Sequence, residues 1–151
     1  MSQLDDLYRR VIMDHYKNPR NRGTMDDESV TVNLNNPTCG DRISLQLHIE
    51  DGVVKNARFT GEGCSISMSS ASMMTDAVKG KSTDEALALA GKFSSLMKGE
   101  QVEFDEYEDI DALSGVGKFP ARIKCATLAW NALRKGVEHE GQGKVEENVE
   151  Q

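Results

Sequence analysis

Four side chains of this sequence stand out as metal ligands or nucleophiles: Cys39 and Asp41 in NPTCGD, Cys64 in GEGCS and Cys125 in RIKCA. They are all three cysteines of the chain and the carboxylate that follows the first of them after one glycine. A tetrahedral zinc site takes four donors, drawn from cysteine, histidine and carboxylate. Three thiolates and one carboxylate meet that count and leave about −2 on a divalent ion, which Arg42, Arg122 and Lys124 are near enough in sequence to offset. The cysteines lie 25 and 61 residues apart. With no CxxC pair, a thioredoxin-like redox role has no support.

Each residue also has a plainer reading. A cysteine taken singly is commonly a small buried hydrophobe, and an aspartate after glycine is commonly a turn residue. For Cys39 and Cys64, polar and glycine-rich neighbours make poor core positions and suit a backbone that comes close to an ion. Cys125, in IKCATLAW, fits the core and the ligand set equally, and Asp41 fits a turn as well as a site. His15 closes a helical face and reads as packing or capping; His48 falls on the polar side of a strand.

The elements that must bring these residues together follow from periodicity. Ser2 is placed to cap a first helix whose apolar positions Leu4, Leu7, Tyr8, Val11 and Ile12 share one face, ending at Asn18-Pro19. Residues 30–34 read as a strand. Ile43, Leu45, Leu47 and Ile49 alternate with polar neighbours as a half-buried strand. Asp51-Gly52 is the hairpin turn, and VVKNARFT the returning strand. A helix rich in Ser, Ala and Met runs from the Cys64 loop to Gly80, and Ser82 with Glu85 forms a capping box for the next. The acidic stretch follows as a turn or short helix, and Pro120 fits the first turn of a last helix. Helices that follow a sheet without βαβ alternation indicate an α+β layer fold. Cys39, Cys64 and Cys125 then each fall near the end of an element, where one edge of the layers can collect them.

Length and charge bound the rest. A chain of 151 residues is one domain, long enough for a core without disulfides. An odd cysteine count, with no signal peptide, indicates a reducing cytoplasm. Of the formal charge of −7, the segment 100–111 carries seven acids with no Lys or Arg, while the remaining 18 acids match 18 bases. Binding to nucleic acid through a broad basic field is therefore not expected, nor is a membrane partner. Residues 138–151, polar and without apolar periodicity, are expected to form a flexible acidic tail after a domain spanning 1–137. A zinc hydrolase would need an open ligand position and a nearby base, and the HxE with PCxxC signature of nucleoside deaminases is absent. A purely structural zinc module, with no labile thiol, stays open.

In order along the chain, YRRVIMDHYKNPRNRG, NPTCGD, GEGCSISMSSASMM and FPARIKCATLAW resemble the SufU branch of the IscU/NifU-like iron-sulfur cluster assembly proteins. The resemblance covers about residues 4 to 137. It implies a three-stranded antiparallel sheet covered by helices, with a metal site at one end, and it makes Cys39, Asp41, Cys64 and Cys125 the ligands of Zn2+. It further implies a zinc-dependent sulfurtransferase that takes persulfide sulfur from a SufS-type, pyridoxal-phosphate cysteine desulfurase. Cys39 would be the acceptor, a desulfurase histidine would replace it on the metal, and the sulfur would pass to a downstream iron-sulfur assembly scaffold. The alternative within the resemblance is a scaffold holding a 2Fe-2S cluster. Scaffold-type relatives usually place histidine before the last cysteine, where this chain has Lys124, and the extended stretch at roughly 91–113 resembles the SufU branch.

Overall fold

The computed structural model describes the backbone of residues 3–37, 40–140 and 143–148, and the side chains of 6–37 and 40–140. Helix α1 (Gln3–Lys17) precedes strands β1 (Val30–Asn36), β2 (Asp41–Glu50) and β3 (Val53–Glu62). Helices α2 (Ser65–Val78), α3 (Thr83–Met97) and α4 (Pro120–Glu138) follow, with a 3₁₀ segment at Glu108–Lys118 before α4 and a strand β4 (Gly143–Asn148) after it. The sheet order is β3-β2-β1-β4, and β1, β2 and β3 pair antiparallel. The expected α+β architecture, a three-stranded antiparallel sheet covered by helices, is the one observed.

Alternation sets the sheet's inner face. Val30, Val32 and Leu34 of β1, Ile43, Leu45, Leu47 and Ile49 of β2, and Val54, Ala57 and Phe59 of β3 are all buried. Fully burying a side chain of this size contributes about 1.5–3 kcal/mol, so the face commits the register. Asp51 and Gly52, at φ 53° and 73°, form the two-residue turn between Glu50 and Val53, since a hairpin turn of that length wants positive φ at both positions. Helix α4 crosses β1 and β2 at Gly136, where an added Cβ would lie 2.6 Å from Leu47 Cδ1.

Helix α2 is buried on nearly every side, and its hydroxyls make the contacts that apolar residues would otherwise make. Ser70 Oγ donates to the Ala126 carbonyl at 2.6 Å and accepts from Trp130 Nε1 at 3.1 Å, tying α2 to α4. Trp130 stacks in turn on Phe93 of α3, with ring centroids 4.9 Å apart. On the other side, fully buried His15 of α1 bridges Ser72 Oγ (2.7 Å) and Asp109 Oδ2 (2.8 Å). A carboxylate only accepts, so His15 Nε2 carries the proton toward Asp109, and Nδ1 accepts from Ser72, whose oxygen takes the Arg20 backbone N–H. The chain Ser72, His15, Asp109 has the order of a hydrolytic triad, but Ser72 is fully buried and lies in the packing between helices.

One expectation changes, and two stretches carry more structure than their composition shows. Leu7 is half exposed instead of sharing the inner face of α1, which is formed by Tyr8, Val11 and Ile12. The acidic stretch hides its own anchors: Phe104 and Ile110 are buried, Tyr107 donates to Asp76 Oδ2 at 2.8 Å, and Glu106 takes Lys92 at 2.8 Å. The tail read as flexible from 138 contributes β4, parallel to β1. The outer edge of β1 offers backbone donors and acceptors, and backbone pairing there needs no apolar alternation, so composition gives no sign of it. Ser2, expected to cap α1, lies outside the described residues.

Two predictions follow from these elements. Ser82 accepts from Glu85 N–H at 3.1 Å while Glu85 Oε1 accepts from Ser82 N–H at 3.0 Å, the expected capping box; Ser82→Ala should lower the unfolding free energy in urea by about 1 kcal/mol. Partial burial, reinforced by Glu108, Asp105 and Glu103, holds the Asp111 carboxyl above its usual range. Its ionised form is therefore disfavoured in the fold, a cost present above the raised value and absent once both states are protonated. Asp111→Asn should raise Tm by about 1–2 °C at pH 7, with the gain vanishing below the ordinary Asp value of about 3.9, as thermal melts across pH would register.

Candidate metal centre

The phase of β2 decides where Asp41 points. Side chains two apart share a face of a strand, so Asp41 lies on the side of Ile43, Leu45 and Leu47 and is fully buried. It opens β2 after a turn whose Gly40 adopts φ 75° and donates its N–H to the Asn36 carbonyl at 2.9 Å. Arg42, one residue on, is exposed on the opposite face and pairs with Glu62 across the sheet at 3.6 Å. It therefore does not offset charge at Asp41, a correction that follows directly from strand alternation.

Cys64 ends the connection from β3 and is the residue at the N-cap of α2, with extended backbone (φ −72°, ψ 169°). Its N–H donates to Asp41 Oδ1 at 3.1 Å. A capping box ordinarily satisfies that donor from within the helix; here a carboxylate from the neighbouring strand takes the role. Gly63 permits the approach, because a Cβ at that position would collide with Asp41 Oδ1 and sit 2.6 Å from Ser67 Oγ. Cys125 lies in the second turn of α4, buried, with Sγ 3.7 Å from the Ala121 carbonyl. It packs in the interior, and its sulfur comes near the Asp41 and Cys64 donor atoms.

The donor atoms of Asp41, Cys64 and Cys125 all lie within 4.8 Å of one another. A tetrahedral ion with bonds of about 2.0–2.3 Å spaces its ligands roughly 3.3–3.8 Å apart, so small side-chain rotations close the cluster on an ion. Asp41 Oδ2 is the decisive atom: it is buried, and among the described residues it has no hydrogen-bond partner. Leaving such an oxygen unmatched costs about 1–3 kcal/mol, which a cation would repay. Cys39 lies outside the described residues.

In place of Arg42, backbone supplies the positive field at Asp41 and Cys64. The Cys64 N–H and the N-terminus of α2 present partial positive charge to Asp41 and Cys64. Lys124 is half buried beside Cys125, while Arg122 is exposed and lines, with Tyr8, Ile12, Ile66, Val116 and Phe119, an open groove next to the start of α2. His48 pairs with Asp27 at 2.8 Å, away from the cluster, and His15 is committed to the α1–α2 packing. Sequence reasoning missed Ser67, whose only signal is its position three residues into a helix that a cysteine opens.

Residues 7–146 match the NifU-like N terminal domain model. The chain belongs to this family. It is 57% identical over 143 residues to the zinc-dependent sulfurtransferase SufU of Bacillus subtilis, covering 94% of this chain and 97% of that protein. It is 45% identical over 154 residues to the iron-sulfur cluster assembly scaffold protein IscU of Streptococcus pyogenes serotype M1, covering 100% and 96%. A crystal structure described as a putative iron-sulfur cluster assembly scaffold protein for the SUF system, from Fervidobacterium islandicum AW-1, superposes with a TM-score of 0.79 at 27% identity, covering 84% of this chain and 93% of that one. Among the described residues no helix is long and apolar enough to cross a membrane.

The site predicts its own sensitivity. Gly63→Ala should push Asp41 off the Cys64 N–H and weaken divalent-metal binding by about tenfold, read by chelator competition, with the far-ultraviolet circular dichroism spectrum unchanged.

Proposed function

We propose that this protein is a zinc-dependent sulfur carrier, accepting persulfide sulfur from a pyridoxal-phosphate cysteine desulfurase of the SufS type and passing it on for iron-sulfur cluster assembly. The observation that carries the reading is the buried Asp41 Oδ2, without a hydrogen-bond partner among the described residues, gathered with the Cys64 and Cys125 sulfurs. Hard and soft donors in that mixture suit zinc, and a relative 57% identical is named for zinc and sulfur transfer.

Asp41, Cys64 and Cys125 hold the ion, with Cys39 as the fourth ligand. Zinc keeps its cysteine ligands deprotonated at neutral pH while engaging their lone pairs. By its sequence context, NPTCGD, Cys39 would be the ligand exchanged for a histidine of the docked partner. The Cys39 thiolate attacks the terminal sulfur of the desulfurase persulfide. A sulfur-sulfur bond forms on Cys39, the bond to the desulfurase cysteine breaks, and that cysteine departs as a thiolate. No net oxidation occurs. A reducing cytoplasm suits this chemistry, since it keeps the thiols available.

The scaffold reading is second. It draws on the 45% identical scaffold protein, whereas Lys124 in place of a histidine beside Cys125 favours the carrier. Metal analysis of the purified protein, then desulfurase turnover with and without it, separates the two. About one zinc per chain with strong stimulation is the expected result, and Cys39→Ala should abolish sulfur acceptance, by intact mass, while the fold survives. Normal acceptance by that variant would remove Cys39 from its role. A cluster that forms without zinc and moves to an apo-ferredoxin would favour the scaffold.

A further inference from the structure

Ser67 is an unassigned part of the metal centre. Its hydroxyl is buried at 2% exposure, donates to the Cys64 carbonyl at 3.0 Å and lies 3.8 Å from Cys64 Sγ. The carbonyl it serves does not depend on it, because Met68 N–H also donates there, at 3.1 Å. A sulfur bound to a metal is a thiolate, an acceptor stronger than a thiol and stronger than a carbonyl already satisfied by the helix.

We propose that Ser67 is a positioning residue that turns its hydroxyl proton from the Cys64 carbonyl to the Cys64 sulfur when the metal is bound. The inference rests on the metal-centre reading above. Outer-shell hydrogen bonds of this kind orient a ligand and tune its electron donation. With Asp41 holding its N–H and Ser67 its sulfur, Cys64 is fixed as a permanent ligand with a lowered tendency to act as a nucleophile. Sulfur chemistry is thereby directed away from Cys64.

Cobalt substitution makes the hydrogen bond visible, because thiolate-to-cobalt charge-transfer bands follow the electron density on sulfur. Replacing zinc with cobalt in the full-length protein should give those bands. Ser67→Ala should shift them to lower energy and weaken zinc binding about tenfold by chelator competition. Ser67→Thr, which keeps the hydroxyl, should restore both. Ser69→Ala removes an equally buried hydroxyl of the same helix that instead serves the Ile66 carbonyl, and should leave the bands in place. Wild-type bands and affinity in folded Ser67→Ala protein, or an equal shift in Ser69→Ala, would overturn the proposal. If Ser67→Ala fails to fold, the Thr variant decides it: shifted bands there overturn it, unshifted bands support it. Absence of thiolate-to-cobalt bands from the wild-type protein would overturn the metal-centre reading instead.

Discussion

The bond from Cys64 N–H to the buried carboxylate of Asp41 is the constraint on which this site depends. It joins the first residue of β2 to the start of α2, so the position of the helix is tied to the register of the hairpin. Asp41 can make it only because β2 begins in the phase that buries Ile43, Leu45 and Leu47. A slip of one residue would send Asp41 to the solvent face and bring Arg42 inside. The hydrophobic core thus pins a carboxyl group at a buried position, with Oδ2 unmatched among the described residues.

Behind that contact, α2 behaves as a polar hub. A buried helix of serines and alanines comes closer to its neighbours than one of leucines, and each hydroxyl then requires a partner. Ser70 finds one in α4 and Ser72 finds His15 and Arg20. His15 passes the connection to Asp109, which anchors the 3₁₀ segment leading to α4 and Cys125. The positions of Cys64 and Cys125 are therefore set by one network approached from both ends of the chain.

Much of this is legible in the sequence where a pattern has a single physical cause. Alternation in RISLQLHIE, Asp51-Gly52 as a tight turn, the Ser82–Glu85 box and Pro120 at a helix start each name their structure. Four motifs in order gave the family, and three of the four expected ligands come together in space. What stayed hidden depends on tertiary partners. The burial of Asp41 follows from a strand that begins two residues before its first apolar position. The anchors Phe104 and Ile110 are masked by the carboxylates around them, β4 is specified by an open edge, and Ser67 matters through a sulfur one helical turn away.

Asp41, Cys64 and Cys125 are separated along the chain by 23 and 61 residues. An ion clasped by all three is a removable cross-link, acting on the unfolded chain as a disulfide would. Closing a loop of about 60 residues restricts the unfolded ensemble by roughly 4 kcal/mol in the chain-entropy view. With Cys39 as the ligand released to a partner, these three elements would all stay clasped, so a thiol could be freed without loosening the fold.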